Sequence, residues 1–112
     1  MVDVEVLDEF VEWYEELGDE DRVAVTAALD VLEVRGVALG FPQSSAIRGS
    51  KFAMRELRIQ SQGKPIRLLY CFDPKRQAVA ILGGHKTDNR FYEEYVPRAE
   101  RLYQSYLDDL DA

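Results

Sequence analysis

Two arginines occupy polar positions on neighbouring predicted strands, and their chemistry points to an anionic ligand. Arg67 stands within the apolar run 66–72, where strand alternation directs its side chain away from the wholly apolar face of that run. Because a guanidinium is always charged, Arg67 must face water, a carboxylate or a ligand. Arg58 lies on the more polar side of the preceding strand, and a hairpin brings it near Arg67. The two predict an anion site, with an ion pair to Glu56 as the alternative for either of them.

A second set of candidate residues follows the last predicted strand. Gly83 and Gly84 permit close backbone approach, so we expect His85 and Lys86 to project toward a ligand on the same face of the sheet. Histidine suits proton transfer near neutral pH, which makes His85 the candidate proton donor or acceptor. Tyr92 offers a ring for stacking. The alternatives are a surface or capping role for His85, a solubilising charge at Lys86 and core packing for Tyr92.

The charge is distributed unevenly along the chain. The formal net charge of −7, taken alone, argues against a nucleic-acid partner. Residues 1–47 carry a net charge of −10 and residues 91–112 carry −4, whereas residues 48–90 carry +7. A basic middle segment can concentrate positive potential on one surface, although chance segregation on a solvated surface is the alternative.

The first half of the chain contains one strand pattern and two helix patterns. Valines alternating with acids predict a strand over 2–6, and helical spacing predicts a first helix over 7–17, which a glycine ends. Asp19 is the expected N-cap of a second helix, which ends at Gly36. Residues 37–50 predict a long surface loop. The expected apolar stripe of the second helix consists of Val23, Ala27, Val31 and Val34.

Three strands and a final helix follow. Alternation predicts strands over 54–60, 66–72 and 78–82, and their short connections imply an antiparallel meander. A helical pattern runs from 91 to 110. The order β-α-α-β-β-β-α over residues 1–112 predicts a single α+β domain. We expect two N-terminal helices on one face of an antiparallel sheet, a partly wet opposite face and a C-terminal helix.

Composition excludes several classes of protein. Cys71 is the only cysteine and His85 the only histidine, which rules out an internal disulfide and an ordinary zinc site. The apolar runs are too short for a membrane span, and the chain does not open with the pattern of a signal peptide. We therefore expect a cytoplasmic protein that uses no metal and no cofactor and has no membrane partner.

Several stretches resemble RelE/HigB-type toxins, in the phage-derived, HigB-like branch. Residues 54–59, Gly63 and residues 66–73 resemble the ELRI…G…YRLLYFFD core of that family, and residues 80–87 resemble its ILLHGFxKKT strand. The resemblance implies a RelE-like fold and a type II toxin that cleaves messenger RNA, usually in the ribosomal A site, and so inhibits translation. It also implies a cognate HigA-like antitoxin, commonly with a helix-turn-helix domain.

The resemblance further implies roles for individual residues. Arg67 matches the family arginine that contacts the scissile phosphate, while Arg58 and Lys86 match basic residues on the preceding strand and after the last strand. His85 falls at a position that is often basic or aromatic, and Glu56 departs from relatives that have lysine there. Tyr92 matches a tyrosine that stacks on or orients a nucleotide. The wider set expected to bind RNA is Tyr92, Arg55, Arg90 and Lys64.

These residues predict metal-independent RNA cleavage by in-line attack of a 2′-hydroxyl on the adjacent phosphate. The expected products are a 2′,3′-cyclic phosphate or 3′-phosphate and a 5′-hydroxyl. The cations would stabilise charge on the phosphate, and His85 would transfer a proton. Two alternatives come from other classes: a non-catalytic antitoxin-binding module, and a ParE-like inhibitor of DNA gyrase.

Overall fold

The computed structural model describes residues 1–112 and has an α+β architecture, as predicted. Element boundaries agree with the sequence patterns to within a few residues, with one strand more than expected. The three helices are α1 (Asp8–Glu16), α2 (Asp19–Arg35) and α3 (Arg90–Leu110), and a short 3-10 turn covers Gly36–Ala38. The five strands are β1 (Val4–Val6), β2 (Ser44–Ala46), β3 (Arg55–Ser61), β4 (Lys64–Phe72) and β5 (Ala78–His85).

The strands form one mixed sheet in the order β1-β5-β4-β3-β2. The predicted antiparallel meander of β3, β4 and β5 is confirmed. The expectation of a wholly antiparallel sheet was wrong, because β1 pairs with β5 in parallel, with Val4 opposite Ala78. β1 thereby supplies backbone partners along an edge of β5 that would otherwise stay open.

The added strand lies in the segment expected to be a loop. Residues Ser44–Ala46 pair antiparallel with β3, with Ser44 opposite Leu57. Small and polar residues carry no alternating apolar signal, so the pairing depends on the open edge of β3 rather than on the local sequence. This strand brings Ser45 opposite Glu56.

Helices cover both faces of the sheet. One core lies between the sheet and the helices α1 and α2, and includes Phe10, Val25, Leu32, Leu57, Leu68 and Tyr70. A second core lies under α3 and includes Met54, Leu69, Cys71, Ile81, Ala99 and Tyr103. The second face, which was expected to be partly wet, is dry where α3 covers it. None of the helices combines the length and hydropathy that a membrane-spanning helix needs.

The helix α2 turns a different side to the core than expected. Val25 and Leu32 are its buried residues, whereas Val23 and Val34 of the predicted stripe are 70% and 61% exposed. Apolar residues occur at helical spacing on two sides of this helix, so the pattern predicted the helix but could not tell which side meets the sheet. The expected cap also shifts by one residue, because Gly18 is the N-cap and Asp19 begins the helix.

Candidate functional site

The register of the sheet brings two of the candidate cations into one row. Arg58 of β3 lies opposite Arg67 of β4, and Arg67 in turn lies opposite Gly84 of β5. Residues directly opposite each other in a sheet share a face. This face is the one that α3 covers, since the neighbouring Leu69 belongs to the core beneath α3. Strand alternation therefore placed Arg58 and Arg67 on the same side, as expected.

Glu56 is the centre of a polar cluster on this face. The Tyr92 hydroxyl donates a hydrogen bond of 2.7 Å to Glu56 Oε1, and Ser45 Oγ donates one of 3.0 Å to Oε2. Arg67 Nε lies 3.6 Å from Oε1, and Arg58 Nη1 lies 3.9 Å from Oε2. Both arginines are therefore paired with Glu56, the alternative that the sequence left open for either of them.

Arg67 is buried rather than facing water. Its exposed fraction is 7% and that of Glu56 is 4%. Nη1 of Arg67 donates to the carbonyl oxygen of Ile66 at 3.1 Å, but its buried Nε has no hydrogen-bond acceptor. The ion pair does not fully offset the free-energy cost of burying Arg67, because one guanidinium donor lacks a hydrogen-bond acceptor. Glu56 therefore occupies the candidate anion site as the partner of Arg67, and the Nε–H of Arg67 remains without an acceptor.

Lys86 and Tyr92 complete the cluster at the start of α3. The ammonium nitrogen of Lys86 lies 5.5 Å from the centroid of the Tyr92 ring, within the range of a cation–π contact. The backbone of Lys86 is held by a hydrogen bond from its N–H to the carbonyl oxygen of Pro65. Burial, and then the hydrogen bond to Glu56, raise the pKa of Tyr92, so its hydroxyl stays protonated at neutral pH.

His85 lies on the opposite face of the sheet, so its expected placement was wrong. The strand β5 continues through both glycines to His85, which lies opposite Ile66 and not beside Arg67. Nε2 of His85 is 3.5 Å from Asp21 Oδ2 of α2. Hydrogen bonds donated by Ser61 and Gln62 hold the pKa of Asp21 below its ordinary value, which keeps a carboxylate beside His85.

The two glycines before His85 make room for the protein's own aromatic rings. A Cβ atom on Gly83 would overlap the ring of Trp13 in α1, and one on Gly84 would lie 2.7 Å from the ring of Tyr95 in α3. The close approach expected from the sequence is therefore made by the two helix layers, one on each face.

The wider cationic set does not join the cluster around Glu56. Arg55 Nε donates to Ser44 Oγ at 3.0 Å. Lys64 is exposed at the β3–β4 turn, opposite Ser61. Arg90 is exposed at the start of α3, where it pairs with Asp88. The structure thus brings together Arg58, Arg67, Lys86 and Tyr92, and it separates His85, Arg55, Lys64 and Arg90 from them.

A groove of about 590 Å³ opens beside the cluster, between the segment 46–49 and α3. Glu56 and Tyr92 line it together with charged and apolar side chains, which are those of Arg48, Glu93, Glu100, Ile47, Val96 and Pro97. Sequence reasoning identified Glu56 as a possible partner but missed its central position and missed Ser45 entirely. The one available signal was the charged residue at position 56, two residues from Arg58 on the same side of a strand.

Comparison with solved structures identifies the fold. Free RelE of Escherichia coli, solved as a double arginine mutant, matches with a TM-score of 0.62 at 16% identity, over 87% of this chain and 96% of that one. The intact Escherichia coli RelBE toxin–antitoxin complex matches with a TM-score of 0.58 at 15% identity, over 79% of this chain and 100% of that one. The fold is the RelE fold.

Sequence comparison identifies the family. Residues 12–104 match the model of the Gp49-like, phage-derived proteins. HigB3 of Mycobacterium tuberculosis, named as a toxin, is 39% identical over 98 residues, which cover 85% of this chain and 84% of HigB3. HigB2 of the same organism, also named as a toxin, is 38% identical over 99 residues, but the match covers 49% of its length. The chain belongs to the Gp49-like, phage-derived family and is similar to the HigB toxins.

Proposed function

We propose that this protein is the toxin of a type II toxin–antitoxin pair and that it cleaves messenger RNA on the ribosome without a metal ion. The observation that carries the proposal is the convergence of Arg58, Arg67, Lys86 and Tyr92 around Glu56 on a RelE fold. Three cations against one carboxylate leave the cluster positively charged, despite the acidic chain. The names of its HigB relatives and of the RelBE complex support a toxin neutralised by an antitoxin.

In this proposal, the cations bind the scissile phosphate. A phosphate oxygen takes the place of Glu56 as the partner of Arg67, whose unsatisfied Nε then gains an acceptor. Arg58 and Lys86 stabilise the charge that grows on the phosphate as the 2′-hydroxyl attacks. Tyr92 stacks on or orients a base, as aromatic side chains do with unstacked RNA.

The proton transfers fall to groups on this face, because His85 lies on the other one. Once displaced from Arg67, the Glu56 carboxylate accepts the proton of the attacking 2′-hydroxyl, and the Lys86 ammonium donates a proton to the departing 5′ oxygen. The bond from phosphorus to that oxygen breaks as the bond to the 2′ oxygen forms. The products are a 2′,3′-cyclic phosphate and a 5′-hydroxyl, and no cofactor takes part.

The burial of Arg67 favours a second candidate. A guanidinium that is 93% buried beside a carboxylate also fits a non-catalytic protein that only binds an antitoxin. The two candidates differ in one observable: a nuclease creates new RNA ends when it is produced, whereas a binding module does not.

The test is to induce the wild type and variants in a host without the antitoxin and to map RNA 5′ ends. Lys86→Gln removes a half-buried cation of the cluster, and Arg101→Gln removes an exposed cation of α3 as the matched control. We expect Lys86→Gln to slow cleavage by about 100-fold or more, as loss of one transition-state contact does. The control should match the wild type. A wild type that arrests growth without new 5′-hydroxyl ends contradicts the nuclease, and no arrest at all favours the binding module.

A further inference from the structure

A row of apolar side chains faces solvent along α2. Val23, Val31 and Val34 are 70%, 40% and 61% exposed, and Ala27 is exposed between them. Spacings of four, four and three residues keep the row on one side of the helix. Exposed Val37 and Phe41 follow beyond the end of the helix. Single exposed apolar residues are ordinary, but a continuous row indicates a binding surface.

The surface beside this valine row is concave at two places. A hollow of about 530 Å³ lies between α1 and α2 and is lined by Tyr14, Val23 and Ala27, among others. A smaller hollow of about 160 Å³ adjoins Val31 and is lined by Leu39, Arg58 and other residues, most of them apolar. An apolar row beside hollows is the shape into which the side chains of a second helix pack.

The charge around the valine row defines its partner. Together α1 and α2 carry ten acidic and two basic residues, and one of those bases, Arg22, is paired with Asp19 at 2.8 Å. A second copy of this chain that docked through the same two helices would bring the same negative charge against this surface, which repels it. A helix with an apolar side flanked by lysine and arginine is complementary in both respects.

We propose that the antitoxin lays one basic amphipathic helix along the valine row of α2. The inference rests on the proposed function, because it takes the antitoxin as the partner. The valine row and Arg67 belong to opposite sides of the sheet, since α2 packs in one core and Arg67 lies on the face of the other. Arg58 of the Glu56 cluster reaches the hollow beside Val31 and the ring of Phe41, but neither Val23 nor Val34 lines that hollow. Substitutions at Val23 and Val34 therefore perturb docking without touching the cluster.

The test uses Val23→Lys/Val34→Lys, which changes the two most exposed residues of the row and touches no core residue. The matched control, Ala53→Lys/Ser105→Lys, adds the same charge at exposed positions away from α2. The probe is the purified helix-turn-helix protein encoded beside this gene, and its binding is measured by titration calorimetry. We expect the α2 variant to bind at least 100-fold more weakly and the control to bind within about threefold of the wild type. Wild-type binding should also weaken as salt rises.

Growth assays separate this inference from the proposed nuclease. The α2 variant should still arrest growth, but co-production of the antitoxin should no longer rescue the cells. If the α2 variant binds the antitoxin as tightly as the wild type, or if the wild type does not bind it, the docking inference is wrong. A wild-type homodimer that the α2 variant dissolves also overturns it. Tight binding that depends on the valine row, in a protein that cleaves no RNA, supports the docking and contradicts only the nuclease.

Discussion

The buried pair of Arg67 and Glu56 should cost more to break than to replace. Arg67→Met leaves the Glu56 carboxylate without its closest buried cation, although Tyr92 and Ser45 still donate to it. Glu56→Leu leaves Arg67 with a single hydrogen bond, to a backbone carbonyl. The double variant removes both charges and places two apolar side chains on a face that already holds Leu69.

The expected loss of unfolding free energy depends on which buried charge each substitution leaves without a partner. Removing one partner of a buried ion pair costs about 3–5 kcal/mol of unfolding free energy. Arg67→Met should lose about 3 kcal/mol of unfolding free energy, near the lower end of this range, because Glu56 keeps its hydrogen bonds. Glu56→Leu should lose about 5 kcal/mol, near the upper end, because Arg67 is left almost without partners. The double variant should lose about 2 kcal/mol or less, because an apolar replacement is often nearly neutral. The coupling energy is therefore several kcal/mol.

Urea unfolding followed by the fluorescence of Trp13, the single tryptophan, measures this cycle. With a slope of about 1–3 kcal/mol/M, a loss of 3 kcal/mol moves the midpoint by about 1–3 M. The exposed pair Arg90 and Asp88 is the control, and its Arg90→Met/Asp88→Leu cycle should couple by less than about 1 kcal/mol. Additive losses at Arg67 and Glu56 would refute the pairing described for the site.

Three further predictions concern the packing around the sheet. Gly84→Ala should destabilise the fold by about 1–3 kcal/mol in urea unfolding, and Tyr95→Leu should partly rescue it by removing the ring that the new methyl group meets. Asp73→Asn should flatten the acid dependence of stability. Burial raises the pKa of Asp73, but hydrogen bonds from Tyr106 and from backbone N–H groups outweigh burial and hold this pKa below 3.8 in the folded protein. The carboxylate therefore stabilises the fold above pH 3.8, and this stabilisation is lost as the pH falls toward the pKa of Asp73 in the folded protein. Burial raises the pKa of Cys71 to about 12, so a disulfide reagent at pH 8 should label it only after unfolding.

Each of these predictions has a contradicting result. A stable Gly84→Ala variant would mean that Tyr95 does not lie against β5. An unchanged stability difference between pH 7 and pH 3 in Asp73→Asn would remove Asp73 as its source. Rapid labelling of Cys71 in the native protein would mean that α3 does not cover it.

The parts of the fold that follow from local patterns were predictable from the sequence. Strict alternation over β3 and β4, with short turns, predicted the meander and placed Arg58 and Arg67 on one face. The pairing of β2 and the parallel pairing of β1 depend on open sheet edges, which no local pattern encodes. The orientation of α2 was missed because the helix carries apolar residues on two sides, and the packing of the sheet selects one of them.

The site was predictable to the extent that strand alternation controls it. His85 was misplaced because the last strand was expected to end at Leu82, whereas β5 runs on to His85 and alternation carries it to the other face. The central role of Glu56 depends on where α3 places Tyr92 and where β2 places Ser45. Those are contacts between distant segments of the chain, which spacing along the sequence does not reveal.

The chemistry of RNA cleavage is the central claim, and one substrate pair tests it directly. Ribosome-bound messenger RNA is incubated with the purified protein, once as all-ribose RNA and once with a single 2′-deoxyribose at the mapped cleavage position. We predict that the all-ribose RNA is cut to a 2′,3′-cyclic phosphate and a 5′-hydroxyl. The deoxyribose RNA should stay intact at that position, because it lacks the 2′-hydroxyl that is the proposed nucleophile. Cleavage of the deoxyribose RNA at the same bond, or products with a 5′-phosphate, would contradict it.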